Sequence, residues 1–333
     1  MNSYFPKMSF VHKVFAWLLK EFEVSLFFYN TFYRLKNKKK FWSAIKGREA
    51  LSIFDYEALS EDIPFYPLEK IKDTNYYGHA YVIKEYSGSK KFIFSLEHGL
   101  YYDGYVSFAE KRKTTKRIMT ISDVRKSALE KVVAKPIVSI GPYIHYATPT
   151  LDEKSIAELK QQLGKVLLFF PSHSCTENNS RFDVDSLIAR IQEFANQYRF
   201  DTIIVNMYFL DIQETDYAEK YFKAGFRITT AGHQNDINFI RRLKTIINLA
   251  DYTIANSVGT HLGYCIYMGK PHCIIDSKQT EMMNSVQIKE IGRTFYNYHE
   301  TITEEQYNIV SQYWGFNCIK TSEEMYWLLK DGK

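Results

Sequence analysis

The clearest pattern along the chain is a run of short, continuously apolar stretches in its second half, each closed by small or polar residues and followed by a segment of helical period. Lys165 to Phe170 reads as a buried strand ending in Pro171-Ser172-His173-Ser174, and Val184 to Tyr198 as the helix after it. Thr202 to Met207 and Arg227 to Thr230 are the next strands, the latter ending at Ala231-Gly232-His233 before a helix from Asn235 to Leu249. Tyr252 to Ala255 is a strand, Gly259 to Met268 a helix, and His272 to Ile275 a last strand. Strands alternating with helices of this length predict a parallel, doubly wound sheet, whose ligands sit at the carboxyl ends of its strands.

The first half is less regular. Tyr81-Val82-Ile83 is a candidate strand and Lys91 to Leu96 a stronger one, ending in Glu97-His98-Gly99. Arg117 to Ile121 and Pro136 to Ile140 follow. Thr148-Pro149-Thr150 marks a boundary before a polar helix from Asp152 to Leu163. The expected architecture is α/β with two lobes and a helical extension: residues 1–45 as a basic helical segment, 46–150 as the first lobe and 151–333 as the second, with a cleft between the lobes.

Within that extension, Val11, Val14, Phe15, Leu18 and Phe22 recur at helical spacing, and Arg34, Lys36, Lys38, Lys39, Lys40 and Trp42 follow. Lys13, Lys20, Glu21 and Glu23 interrupt any run long enough to cross a bilayer. Two readings stand side by side for residues 10–42: attachment to an anionic membrane surface, or a helix packed on the body followed by a solvated basic loop. The start lacks the pattern of a signal peptide, so a cytoplasmic location is expected, peripheral on the inner face of the membrane in the first reading.

Composition adds limits. A chain of 333 residues with 45% hydrophobic and 24% charged residues is an ordinary globular protein of more than one lobe. Cys175, Cys265, Cys273 and Cys318 form no CxxC pair and no zinc spacing, so they are expected as reduced thiols. The net charge of +5 is not arranged in any nucleic-acid-binding pattern, and no nucleic acid is expected as a partner.

The candidate chemistry sits at strand ends. Asn256-Ser257-Val258-Gly259-Thr260-His261 joins a buried strand to a helix, so helix-start N–H groups and the hydroxyls of Ser257 and Thr260 can hold a phosphate. The competing reading is that Ser257 or Thr260 only caps the helix. His173, between Ser172 and Ser174, can hydrogen-bond or protonate a departing phosphate, and His233 stands at an analogous strand end. In the first lobe Glu97 or His98 is positioned to act as a base, with Asp103 a turn residue or a second acid. Asp183-Val184-Asp185 introduces a helix and is read as its acidic first turn, so no metal site is expected. No P-loop, GxGxxG or G-x-S-x-G element is present.

Taken in order, Glu97-His98-Gly99, Ser172-His173-Ser174 and Asn256-Ser257-Val258-Gly259-Thr260 resemble the layout of bacterial GT-B glycosyltransferases of surface glycans, in particular the CMP-sugar-dependent sialyltransferase and Kdo-transferase-like groups. His98 stands where those groups carry a second acid, and Ser174 where they carry proline. Glu97-His98-Gly99 also resembles the His-Gly element of CDP-glycerol polymerases of the teichoic-acid type. The resemblance implies two Rossmann-like lobes and an inverting, metal-independent transfer from a nucleotide sugar, such as a CMP-linked one, to a lipopolysaccharide or capsule-type acceptor, with no further cofactor. Glu97 or His98 would be the base and His173 would act on the leaving phosphate. Ser172, Ser174, His233, Ser257, Gly259, Thr260 and His261 would bind the nucleotide. A CDP-polyol phosphotransferase and a non-catalytic subunit of a polysaccharide-assembly complex are the alternatives.

Overall fold

The computed structural model describes residue 14 and residues 23–101, 105–106, 108–172, 183–282 and 285–331. Among them the protein is α/β, with two parallel sheets. The first holds β1 (Ser95–Leu96), β2 (Ile118–Thr120) and β3 (Ile137–Ser139) in that spatial order. The second holds β4 (Val166–Phe170), β5 (Thr202–Asn206), β6 (Arg227–Thr229), β7 (Tyr252–Ala255) and β8 (His272–Ile274), in the order β6-β5-β4-β7-β8. All of its pairings are parallel.

The central strand shows why the sequence folds this way. Val166, Leu168 and Phe170 enter one hydrophobic cluster and Leu167 and Phe169 another, so β4 is buried on both faces and carries no polar alternation. The chain runs outward from β4 through β5 to β6, then returns to place β7 on the other side of β4. That reversal makes the gap between the ends of β4 and β7 the switch point of the sheet, where open α/β folds bind ligands.

The second-half strands match the apolar runs to within a residue or two, and Asp183 caps the helix Val184–Gln197 by accepting from the N–H groups of Asp185 and Ser186. Other expectations are corrected. Tyr81-Val82-Ile83 lies inside the helix His79–Ser87, between the left-handed Gly78 (φ +68°) and Gly88 (φ +70°), with Ala80, Val82 and Ile83 buried. Packing of that face outweighs the strand preference of the β-branched pair. Only Ser95 and Leu96 of the run from Lys91 pair as a strand. The helix expected from Asn235 begins at Phe239, after a turn in which Asp236 accepts from the Asn238 N–H. Residues 34–42 are not a loop but part of the long helix Glu23–Glu49. Cys265, Cys273 and Cys318 are free thiols, while Cys175 lies outside the described residues.

The two sheets are joined by more than one crossing. Lys244, on the helix Phe239–Leu249, donates to the carbonyls of Ile144 (3.0 Å) and Ala147 (2.7 Å) beyond β3. Trp314 is fully buried and donates its indole N–H to the Thr260 carbonyl (3.0 Å). The last helix, Ser322–Asp331, packs on His79–Ser87, where Ser322 donates to the Tyr86 carbonyl.

Candidate functional site

The segments singled out at the ends of β4 and β7 are tied directly together. Asn256, fully buried after β7, accepts the Ser172 N–H through Oδ1 (2.6 Å) and donates through Nδ2 to the Ser172 hydroxyl (3.0 Å). This exchange fixes both loops at the switch point. His173 and Ser174 lie outside the described residues, as does Asp103.

The helix Thr260–Tyr267 begins here with an open first turn. Its N-cap is Gly259 in extended geometry (φ −146°), and no side chain caps it. Neither Ser257 nor Thr260 takes the capping role, so the helix start keeps the partial positive charge that a phosphate would neutralise. Ser257 is buried beside it. The place a Cβ at Gly259 would occupy is taken by the ring of His261, 2.7 Å away, so this glycine first of all makes room for that imidazole. His261 stacks on Phe170 at 4.6 Å with an interplanar angle of 12°. Behind it His272 is fully buried, bonded through Nδ1 to Thr253, and held neutral by burial.

The first sheet reaches the same point. The Leu100 N–H donates to Thr260 Oγ1 (3.3 Å), which brings the loop after β1 onto the helix start that follows β7. Thr260 accepts that bond and still has its own hydroxyl proton to donate. Just upstream, Glu97 and His98 have separate environments. Glu97 is buried and its carboxylate is fully engaged: Arg125 donates from Nη2 to Oε1 (2.6 Å) and from Nε to both oxygens, and Thr120 donates to Oε2 (2.5 Å). Burial pushes its carboxyl up, and Arg125 and Thr120 oppose that shift. His98 is half-buried among the rings of Tyr76, Tyr77 and Tyr101, with centroids 6.1–6.3 Å away. Burial pulls its pKa down, against the attraction of Asp73 and Glu110, so the imidazole is neutral at pH 7 and has a lone pair to offer.

Tyr77 carries the strain of this corner. It is non-glycine with φ +59°, inside the 3₁₀ segment Lys72–Gly78. Its N–H donates to the Gln234 carbonyl (2.7 Å), its hydroxyl meets that of Tyr208 after β5 (3.2 Å), and its ring packs on Phe239 (4.8 Å). Gly78 follows because a Cβ there would fall 2.1 Å from the Ile237 carbonyl oxygen. These contacts hold the segment before β1 against the chain that follows β5 and β6, beside His98.

His233 has a different setting. Its Nδ1 accepts the Asn235 N–H (3.0 Å), Nε2 lies 3.9 Å from Asp62, and its ring packs on Phe209 at 4.4 Å. Burial holds its pKa down at about 4. A histidine whose folded pKa lies below its unfolded value contributes stability that is whole above about pH 6.5 and drains away as pH falls toward 4. Roughly 2–3 kcal/mol of acid sensitivity should follow. Urea unfolding at pH 7 and pH 4.5 checks it: His233→Phe should flatten the loss relative to the native chain, and an unaltered pH slope would refute the assignment.

Arg125, Thr120, Tyr77 and Tyr208 belong to this region and escape a reading of the sequence. Arg125 lies 28 residues from Glu97, with only the Ser122 cap before it to mark a helix start. Tyr77 carries a faint signal, a bulky residue directly before a glycine. Two open surface hollows lie elsewhere: one of about 670 Å³ beside Lys289, Arg293 and His299, and one of about 650 Å³ at the amino ends of β5 and β6. Among the described residues no cluster of His, Cys, Asp and Glu could hold a metal ion.

No family model and no curated protein matches this chain. Among solved structures it is similar to an S. aureus MnaA–UDP co-structure, at 9% identity and a TM-score of 0.39 over 69% of this chain and 64% of that one. It is also similar to the UDP-GlcNAc 2-epimerase from Neisseria meningitidis bound to UDP-GlcNAc, at 13% identity and a TM-score of 0.39 over 83% of this chain and 86% of that one. The chain thus spans less than two thirds of the first of these, and similarity at this level assigns no activity.

Proposed function

We propose that the protein is a nucleotide-sugar-dependent glycosyltransferase of the two-lobed GT-B type. The observation that carries this reading is the meeting of three strand ends at one place: the loop after β1 on Thr260, and the loops after β4 and β7 joined through Ser172 and Asn256. An uncapped helix start with Ser257 and Thr260 beside it suits the phosphates of a nucleotide. A neutral imidazole on the facing lobe suits deprotonation of an acceptor hydroxyl.

In this reading the chain works as follows. The donor phosphates lie against the Thr260 helix start, where N–H groups and hydroxyls stabilise the charge that grows as the sugar leaves. His173 acts on the departing phosphate. His98 removes the acceptor proton as the acceptor oxygen attacks the anomeric carbon from the opposite side, which inverts that centre. Glu97, saturated by Arg125 and Thr120, anchors the loop that presents His98 and is the weaker candidate for the base. The acceptor is a lipopolysaccharide or capsule-type glycan, the donor base is the one the binding panel selects, and no metal takes part.

The test begins with thermal shifts in CMP, CDP, UDP and GDP, since a ligand of the native state raises apparent stability by mass action. Ser257→Ala/Thr260→Ala should keep the fold and weaken the preferred nucleotide by about 1.5–3 kcal/mol per hydrogen bond lost to a charged phosphate. Equal affinity in the double variant, or no shift with any nucleotide, would sink the phosphate site.

A further inference from the structure

The helix Glu23–Glu49 has two faces with different surroundings. Leu26, Asn30, Asn37, Phe41, Ile45 and Arg48 are buried. On that side Asn30, Arg34, Asn37 and Arg48 donate to the carbonyls of Lys70 (2.8 Å), Pro67 (2.7 Å), Phe65 (2.7 Å) and Glu61 (2.8 Å). Four side chains gripping one stretch of backbone fix the rotation of the helix about its axis.

The face turned outward is apolar. At 100° per residue, Val24, Phe28, Leu35 and Trp42 fall on one narrow stripe with Phe32 at its edge. Val24 is 66% exposed, Phe28 64% and Leu35 81%. Single exposed apolar residues are ordinary, but a stripe extending roughly 27 Å along one rigid helix is the mark of a surface that meets something else. Lys39 and Lys46 continue the stripe and Lys36, Lys38 and Lys40 flank it, all exposed. Among the described residues none of these lysines meets a carboxylate, and Lys36 reaches over the Phe32 ring at 5.6 Å.

Apolar side chains in line with unneutralised lysines match the boundary between acyl chains and anionic headgroups. A second copy of the chain fits less well, because pairing of two stripes would bury Lys39 and Lys46 without acids to meet them. No helix among the described residues is long and apolar enough to cross a membrane, so the contact is with the surface. We infer that this face seats the protein on an anionic lipid bilayer, Val24, Phe28, Phe32 and Leu35 entering the headgroup boundary and the lysines resting on lipid phosphates. Over residues 23–42 this inference gives one face of the helix to the body and the other to the lipid, while Val11, Phe15, Leu18 and Phe22 lie outside the described residues.

The test is flotation of the full chain with vesicles of phosphatidylcholine alone and of phosphatidylcholine mixed with phosphatidylglycerol. Binding should require the anionic lipid, and high salt should weaken it without abolishing it. Lys36→Gln/Lys38→Gln/Lys39→Gln/Lys40→Gln should lower affinity on the order of a thousandfold, and Phe28→Ser/Leu35→Ser should remove the salt-resistant remainder. Both sets lie on the exposed face, so melting temperature and nucleotide thermal shifts should hold, which separates this inference from the glycosyltransferase reading. It is overturned if the native chain ignores anionic vesicles, binds neutral ones equally, or binds unchanged in either variant. A dimer that Phe28→Ser/Leu35→Ser dissociates, with no lipid binding, would give the face to a second copy instead.

Discussion

Glu97→Ala should destabilise the fold by about 3–5 kcal/mol, the cost of leaving a buried guanidinium without its carboxylate. Arg125 and Glu97 are both buried side chains, so water cannot replace the lost partner. The Thr120 hydroxyl loses its acceptor in the same step. Replacing both charges with apolar groups of similar size, as in Glu97→Leu/Arg125→Met, should recover much of the loss, since no buried charge is left unpaired, while the Thr120 hydroxyl still lacks its acceptor. Urea midpoints of the two variants and the native chain decide the matter. A midpoint for Glu97→Ala within experimental error of the native value would show that the pair does not hold β1 to β2 and the helix Asp123–Glu130. Any loss of turnover in Glu97→Ala would then need a chemical explanation rather than a structural one.

How much of this was legible depends on the kind of information each residue carries. The second sheet could be read because β4, β5 and β7 are apolar runs closed by polar residues, a signal contained in a few adjacent positions. The parallel-sheet rule then placed Ser172, His233 and Asn256–Thr260 at strand ends without any contact being known. The first sheet was harder: β1 pairs through only Ser95 and Leu96, and the β-branched run Val82-Ile83 belongs to a short helix bounded by two left-handed glycines. Contacts between distant positions leave no local trace. Nothing near Arg125 announces Glu97, nothing near Tyr208 announces Tyr77, and the bond from Leu100 to Thr260 spans 160 residues. Gly259 shows the limit from the other side. Its presence was readable, but the group that needs its missing Cβ is the His261 ring, which only the folded chain reveals.

His98→Gln should reduce sugar transfer by about 10²-fold or more while leaving nucleotide affinity and melting temperature near native values. Glutamine keeps a polar side chain among Tyr76, Tyr77 and Tyr101 but cannot accept and hold the acceptor proton. Because burial lowers the His98 pKa, the imidazole is already neutral across the physiological range. The acid limb of kcat/KM should therefore fall below pH 6.5, with a plateau above it. In the variant that limb should vanish along with most of the rate, a result that a merely structural role for His98 does not produce. Glu97→Ala offers the contrast, since its deficit should follow loss of folded protein and leave the pH limb of the surviving fraction in place. The measurement is transfer of radiolabelled sugar from the donor that the thermal-shift panel selects, across pH, with nucleotide affinity recorded for each variant. Native turnover in His98→Gln, or an unchanged acid limb, would remove His98 from the chemistry and favour a non-catalytic subunit that binds nucleotide without transferring sugar.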